Sequence, residues 1–140
     1  MKKWHIIHHQ QRRFSPVSWW VHKAVHDTPP TAEWRNADQY DPAFPPCIFG
    51  KGFPYLLVTV DGFALEFASS YEVRHCIEIL QQKHLPATKN LVCKNSTTYQ
   101  GFNHWLAIFP ASLKSWKQRQ RTVKILTQTL MELEQDDIHF

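Results

Sequence analysis

Nine histidines and three cysteines are the side chains in this 140-residue chain best suited to chemistry, as metal ligands, bases or nucleophiles. His5, His8 and His9 have a ligand-like local spacing, and His22 and His26 would share a face if their segment were helical. No Asp or Glu stands among these five to orient the rings, so they read as solvated histidines and not as a metal site. Thiol catalysis needs a Cys and a His within hydrogen-bond reach. Cys93 or Cys76 with His104 as base and Asn103 beside it is the least poor arrangement, and nothing in the linear spacing brings these groups together. Cys76 falls on an apolar helical stripe and reads as packed, whereas Cys93 has Lys94 beside it to favour a thiolate. The polar positions of the central elements offer only Glu66, Glu72 and Glu78 as carboxylates, and Glu72 is committed to capping a helix. Gly50-Lys51-Gly52 lacks the spacing of a phosphate loop and the Ser or Thr after Lys, and reads as a turn. The expectation is a non-enzymatic protein with no cofactor and no metal.

Charge carries a clearer signal. Residues 1–26, 27–78, 79–131 and 132–140 have net charges of +5, −5, +8 and −4, and the third block contains no acid at all. Blocks of opposite sign can neutralise one another within a fold or across a dimer, or the basic blocks can merge into a polyanion-binding surface. The basic residues from 83 to 124 are interleaved with aromatics, and cations beside stacking rings suit a nucleic-acid strand. The candidate contact residues are Lys94, Lys114, Lys117, Arg119, Arg121, Lys124 and His104. Trp105, Phe109 and Trp116 read as core. No zinc-finger spacing, RNP-like run or heptad zipper accompanies them. The leading expectation is an accessory or regulatory protein that binds nucleic acid through residues 83–124. The alternative is a homodimeric protein-interaction module whose charged blocks pair between subunits.

The elements that must position these groups centre on residues 54–86. Tyr55 to Val60, Asp61-Gly62 and Phe63 to Phe67 read as strand, two-residue turn and strand. The register puts Leu56, Val58, Val60, Phe63, Leu65 and Phe67 on a core face, and Tyr55, Leu57, Thr59, Ala64 and Glu66 on a face at most half buried. Ser69 and Glu72 form a capping box for a helix starting near Ser70, with Val73, Cys76, Ile77 and Leu80 on its apolar stripe and Pro86 as its stop. A second helix is expected over 112–134, with Leu113, Trp116, Val123, Leu126, Leu130 and Leu133 as its stripe. Its bases come first and its acids last, the reverse of what the helix macrodipole favours, so these charges need partners.

The first 53 residues, rich in Pro and Trp, read as an arm and loop wrapping the core. A short helix follows Ser15-Pro16 through Val25, and a loop crosses the core through Trp34, Tyr40 and Phe44. Residues 87–101 read as loop, and 102–109 as either strand or short helix. The whole is expected to be one α+β domain: a small antiparallel sheet built on one hairpin, packed against two main helices. The longest nearly unbroken apolar run, Tyr55 to Val60, is far too short to cross a bilayer, and His8 to Gln11 interrupt any signal-peptide core. With three widely spaced cysteines and no CxxC pair, the default is a soluble cytoplasmic protein with reduced thiols.

Overall fold

Asp61 and Gly62 take φ of 49° and 84°, the two positive values that a two-residue hairpin turn requires. In the computed structural model, which describes residues 3–25, 39–85, 105–138 and 140, this turn joins β4 (Phe53–Val60) to β5 (Phe63–Phe67). Val60 stands opposite Phe63 and Leu56 opposite Phe67, the expected register. Leu56, Val58, Val60, Leu65 and Phe67 are buried in the main core. Phe63 shares their face but is 40% exposed, because it closes the ladder at the turn.

The main sheet has a third strand that the sequence reading assigned to a wrapping arm. β1 (Trp4–His9) pairs antiparallel with β4, Trp4 opposite Val58 and His9 opposite Phe53, giving the order β1-β4-β5. Trp4 and Ile6 lie on the core side. Histidines at both inner and outer positions disguise the alternation that normally marks a strand.

After β1 the chain makes α1 (Ser18–Val21), then β2 (Lys23–Val25), which pairs antiparallel with β3 (Gln39–Asp41), Ala24 opposite Tyr40. The helix expected through Val25 thus lasts one turn, and Ala24 and Val25 belong to a strand. This segment lies over the second face of the sheet. Tyr40, Phe44, Tyr55 and Ala68 form a separate buried cluster with Phe14 and Leu57 against it. Tyr55, expected to be at most half buried, is therefore fully enclosed. Tyr40 and Phe44 cross the core as expected; Trp34 lies outside the described residues.

α2 (Ser70–Leu80) begins where the capping signal places it, with the Ser69 hydroxyl accepting from the Glu72 backbone N–H. Val73, Cys76 and Leu80 are buried along it. In the stretch expected as strand or short helix, the described residues form one helical turn, α3 (Trp105–Ile108), and residues Ala111–Leu113 wind as a 3-10 turn. α4 (Trp116–Gln135) starts later than expected because Ser115 is its N-cap. α2 and α4 pack on each other and on the sheet, α2 against β5 and α4 against β4.

The buried face of α4 is rotated from the expected stripe. Arg119, Thr122, Leu126, Thr129 and Leu133 are buried, Val123 and Leu130 are only half buried, and Trp116 is exposed. The Thr122 and Thr129 hydroxyls donate to the carbonyls of Gln118 and Ile125 one turn back, so two polar residues enter the core with their hydrogen bonds made. A pattern read from apolar residues alone misses such positions. Among the described residues no helix is long and apolar enough to cross a membrane.

Candidate functional site

Arg119 was expected on a nucleic-acid surface, and the structure assigns its guanidinium elsewhere. Only 4% exposed, it donates to Leu80 O at 3.1 Å, Lys83 O at 3.0 Å and Lys114 O at 2.9 Å, and also to Gln82 O. Leu80 is the last residue of α2, where helical carbonyls lack partners and the dipole favours a cation, and Gln82 and Lys83 follow it in the turn that leaves the helix. Arg119 is thus a cross-helix cap and not a phosphate ligand. It also accounts for one of the bases in the early part of α4, where the macrodipole of its own helix opposes them.

The same contact sets the geometry of the remaining cations. Because one guanidinium reaches both Lys83 O and Lys114 O, the end of α2 and the start of α4 meet at one end of the helical layer. Exposed Lys83 and half-buried Lys114 sit there, and Lys117, Arg121 and Lys124 continue along the exposed side of α4. Spacings of four and three residues keep these three on one stripe roughly 10 Å long. Arg121 pairs with Asp61 of the hairpin turn at 3.1 Å, and its side chain stays 55% exposed. An exposed pair of this kind is worth about 0–1 kcal/mol, so it does not withdraw Arg121 from the surface. Trp116, expected in the core, is 37% exposed in the first turn of the same helix, with the Arg119 guanidinium carbon 5.2 Å from its ring centroid. Trp105 and Phe109 are buried as expected, the Trp105 indole N–H donating to His75 Nε2 at 3.0 Å. Lys94, Asn103, His104 and Cys93 lie outside the described residues.

A second constellation, unforeseen from the sequence, lies between the N-terminal segment and α2. His22 and Glu72 are fully buried, with His22 Nε2 3.0 Å from Glu72 Oε2 and 2.7 Å from Ser69 Oγ. His22 Nδ1 donates to Pro42 O at 2.6 Å, since a carbonyl can only accept. The carboxylate also accepts from the Ala68 backbone N–H at 3.0 Å, the Ser18 hydroxyl at 3.0 Å and the Ser15 hydroxyl. Phe44 stacks on the imidazole at 3.8 Å between centroids.

Ser, His and Glu together suggest hydrolysis, but the arrangement is wrong for it. A catalytic histidine takes its proton from a hydroxyl at one nitrogen and is held by an acid at the other. Here hydroxyl and acid crowd the same nitrogen, a carbonyl occupies the other, and no solvent path reaches either residue. The cluster clamps residues 15–22 and Pro42 to the start of α2. Glu72 does more than the capping assigned to it. The sequence traces of the cluster are two separate local spacings, the Ser69–Glu72 capping box and Ser15, Ser18 and His22 at helical spacing, and nothing in the sequence joins them because the partners of His22 lie at least 20 positions away.

Burial pushes the Cys76 thiol well above its ordinary range, so Cys76 stays protonated and unreactive, while Cys47 is exposed. His5 and His9 lie on the outer face of β1 and His8 on the inner, so strand alternation separates the three. Among the described residues no three His, Cys, Asp or Glu side chains are grouped to hold a metal ion. No protein-family model, curated protein or solved structure matches the chain.

Proposed function

We propose that this protein binds single-stranded nucleic acid through Lys114, Lys117, Arg121 and Lys124, with Trp116 as the stacking surface. The observation that carries the reading is an exposed tryptophan in the first turn of the helix that bears the cationic stripe, within a block of the chain that holds no acid. Basic residues neutralise successive phosphates, and a fixed aromatic ring accepts any base face. A duplex presents no free base face to such a ring, so single strands are the preferred ligand. Arg119 supports the site from behind: anchored to four carbonyls, it holds the start of α4 and the ring above it in one place.

Fluorescence anisotropy of labelled single-stranded DNA, RNA and duplex DNA tests the reading at about 50 and 200 mM salt, where phosphate contacts lose affinity steeply. The expected result is tighter binding to single strands, with a strong salt dependence. Replacing both Lys117 and Lys124 by Ala lowers the slope of log affinity against log salt by about 1.4, two contacts at about 0.7 each. Trp116→Ala weakens binding by about tenfold with the salt slope unchanged, since a stacked base contributes about 1–3 kcal/mol without a counterion. Absence of binding to any of the three ligands at the lower salt overturns the proposal.

A further inference from the structure

At the far end of the helical layer the surface is apolar. A cleft of about 620 Å³ opens between β1, the segment before β4 and the C-terminal residues, lined chiefly by Ile6, Ala43, Ile48, Pro54, Ile138 and Phe140. Ile48 and Lys51 both border it, and between them Phe49 projects with 102% exposure, touching nothing of its own chain. The turn that carries Phe49 is held tightly. Ile48 N–H donates to Gly52 O at 2.8 Å, and Gly52 N–H and Lys51 N–H both donate to Ile48 O at 2.9 Å. Gly50 and Gly52 have φ of 79° and 115°, and a Cβ on Gly52 would stand 2.4 Å from His9 O, so the turn is wedged against the end of β1. A large aromatic side chain is thus displayed on a preorganised support beside an apolar cleft that it does not line.

We infer that this face is a homodimer interface in which Phe49 of each copy fills the cleft of the other. A two-fold axis converts one adjacent knob and hole into two identical contacts, the self-complementarity that an isologous interface requires. The edge strand lies on the same side. Ile6 of β1 lines the cleft, β1 has no strand on its outer side among the described residues, and Trp4–His9 contains no Lys or Pro to guard that edge. A second copy therefore finds rigid anchor, cavity and open edge together, with a buried aromatic at the centre, the place where binding energy concentrates. This interface is distinct from the charged blocks and does not depend on nucleic-acid binding.

Sedimentation equilibrium over a micromolar concentration range tests the inference on the full chain. The expected wild-type mass is twice 16.5 kDa. Phe49→Glu removes the knob and Ala43→Trp blocks the hole, and each is expected to weaken association by about tenfold or more, the loss typical of a central anchor. Because Phe49 is fully exposed and Ala43 is exposed on the cleft wall, each variant keeps the wild-type circular dichroism spectrum, while its melting temperature loses the part that association contributes. Mixing them is the decisive arm: the Phe49→Glu copy retains an open cleft and the Ala43→Trp copy retains its phenylalanine, so the mixture recovers one of two contacts and associates more tightly than either alone. A wild-type monomer at all concentrations, a Phe49→Glu dimer of unchanged affinity, or a mixture no tighter than its components would each overturn the inference.

Discussion

Glu72 and Arg119 show how two charged side chains can be interior parts of a small protein. Each is enclosed, and each has enough partners to make enclosure tolerable: four hydrogen-bonding groups in addition to the Ser69 hydroxyl for the carboxylate, four carbonyls for the guanidinium. Removing one member of such a set leaves the others buried and unsatisfied, which costs more than the interaction itself contributed. Glu72→Ala is therefore expected to destabilise the fold by about 3–5 kcal/mol in urea denaturation, the usual range for removing one partner of a buried, hydrogen-bonded pair. Substitution by alanine at exposed Glu78 supplies the control, expected to lie within about 0.5 kcal/mol of wild type. Arg119→Lys keeps the charge but replaces a planar fork by a single ammonium that cannot reach carbonyls on both helices at once. Its expected cost is about 2–3 kcal/mol, and equal stability of the lysine variant would show that charge alone suffices. The sequence revealed Glu72 through the Ser-x-x-Glu spacing, which is local. It concealed Arg119 and His22, because a basic residue in a basic block and a histidine among nine look solvated until partners from distant positions are in place.

At the scale of elements, legibility followed locality. The hairpin and α2 were readable because Asp61-Gly62, Ser69 and the two periodicities are written within a few residues of where they act. β1 was not, since its histidines occupy both faces and β4, its one partner among the described residues, lies about fifty residues away. α4 was found with its face turned: Thr122 and Thr129 bury their methyl groups and return their hydroxyls to the helix backbone, while Trp116 stays outside. The rotation makes opposite predictions for two leucines that the apolar pattern treats alike. Leu126 is fully buried and Leu130 only partly, so Leu126→Ala should cost about 3 kcal/mol, within the range for truncating an enclosed leucine, and Leu130→Ala about half as much or less. Urea titration of both variants decides between the two faces; a larger loss at Leu130 would restore the face predicted from sequence.

Across the whole molecule the charge blocks meet within one chain. Arg13 of the first block lies 3.6 Å from Glu66 of the second, Arg121 of the third lies 3.1 Å from Asp61, and His22 is buried against Glu72. Part of the charge pattern is thus answered within the fold, and the bases that stay exposed include the stripe at the start of α4. The α+β class was readable from the sequence; the exposure of Trp116 and the withdrawal of Arg119 were not, because both depend on how two helices meet. The same enclosure governs stability at alkaline pH. Burial raises the Tyr55 phenol above its ordinary value of 10.0, helped by the negative charge of Glu66 and opposed by Arg13, and burial alone raises the Cys76 thiol above 9.0. Both groups are neutral when protonated, so the folded state retains protons that the unfolded chain releases. Their contribution is present in full below those ordinary values and is lost as pH rises through the higher folded values, so stability falls above about pH 9 with a slope of up to about 1.4 kcal/mol per pH unit for each group. Tyr55→Phe removes one of the two groups without emptying its site. Urea midpoints at pH 7 and pH 10.5 should therefore differ less in the variant than in the wild type, and an equal drop in both would mean that Tyr55 opens to solvent before it ionises.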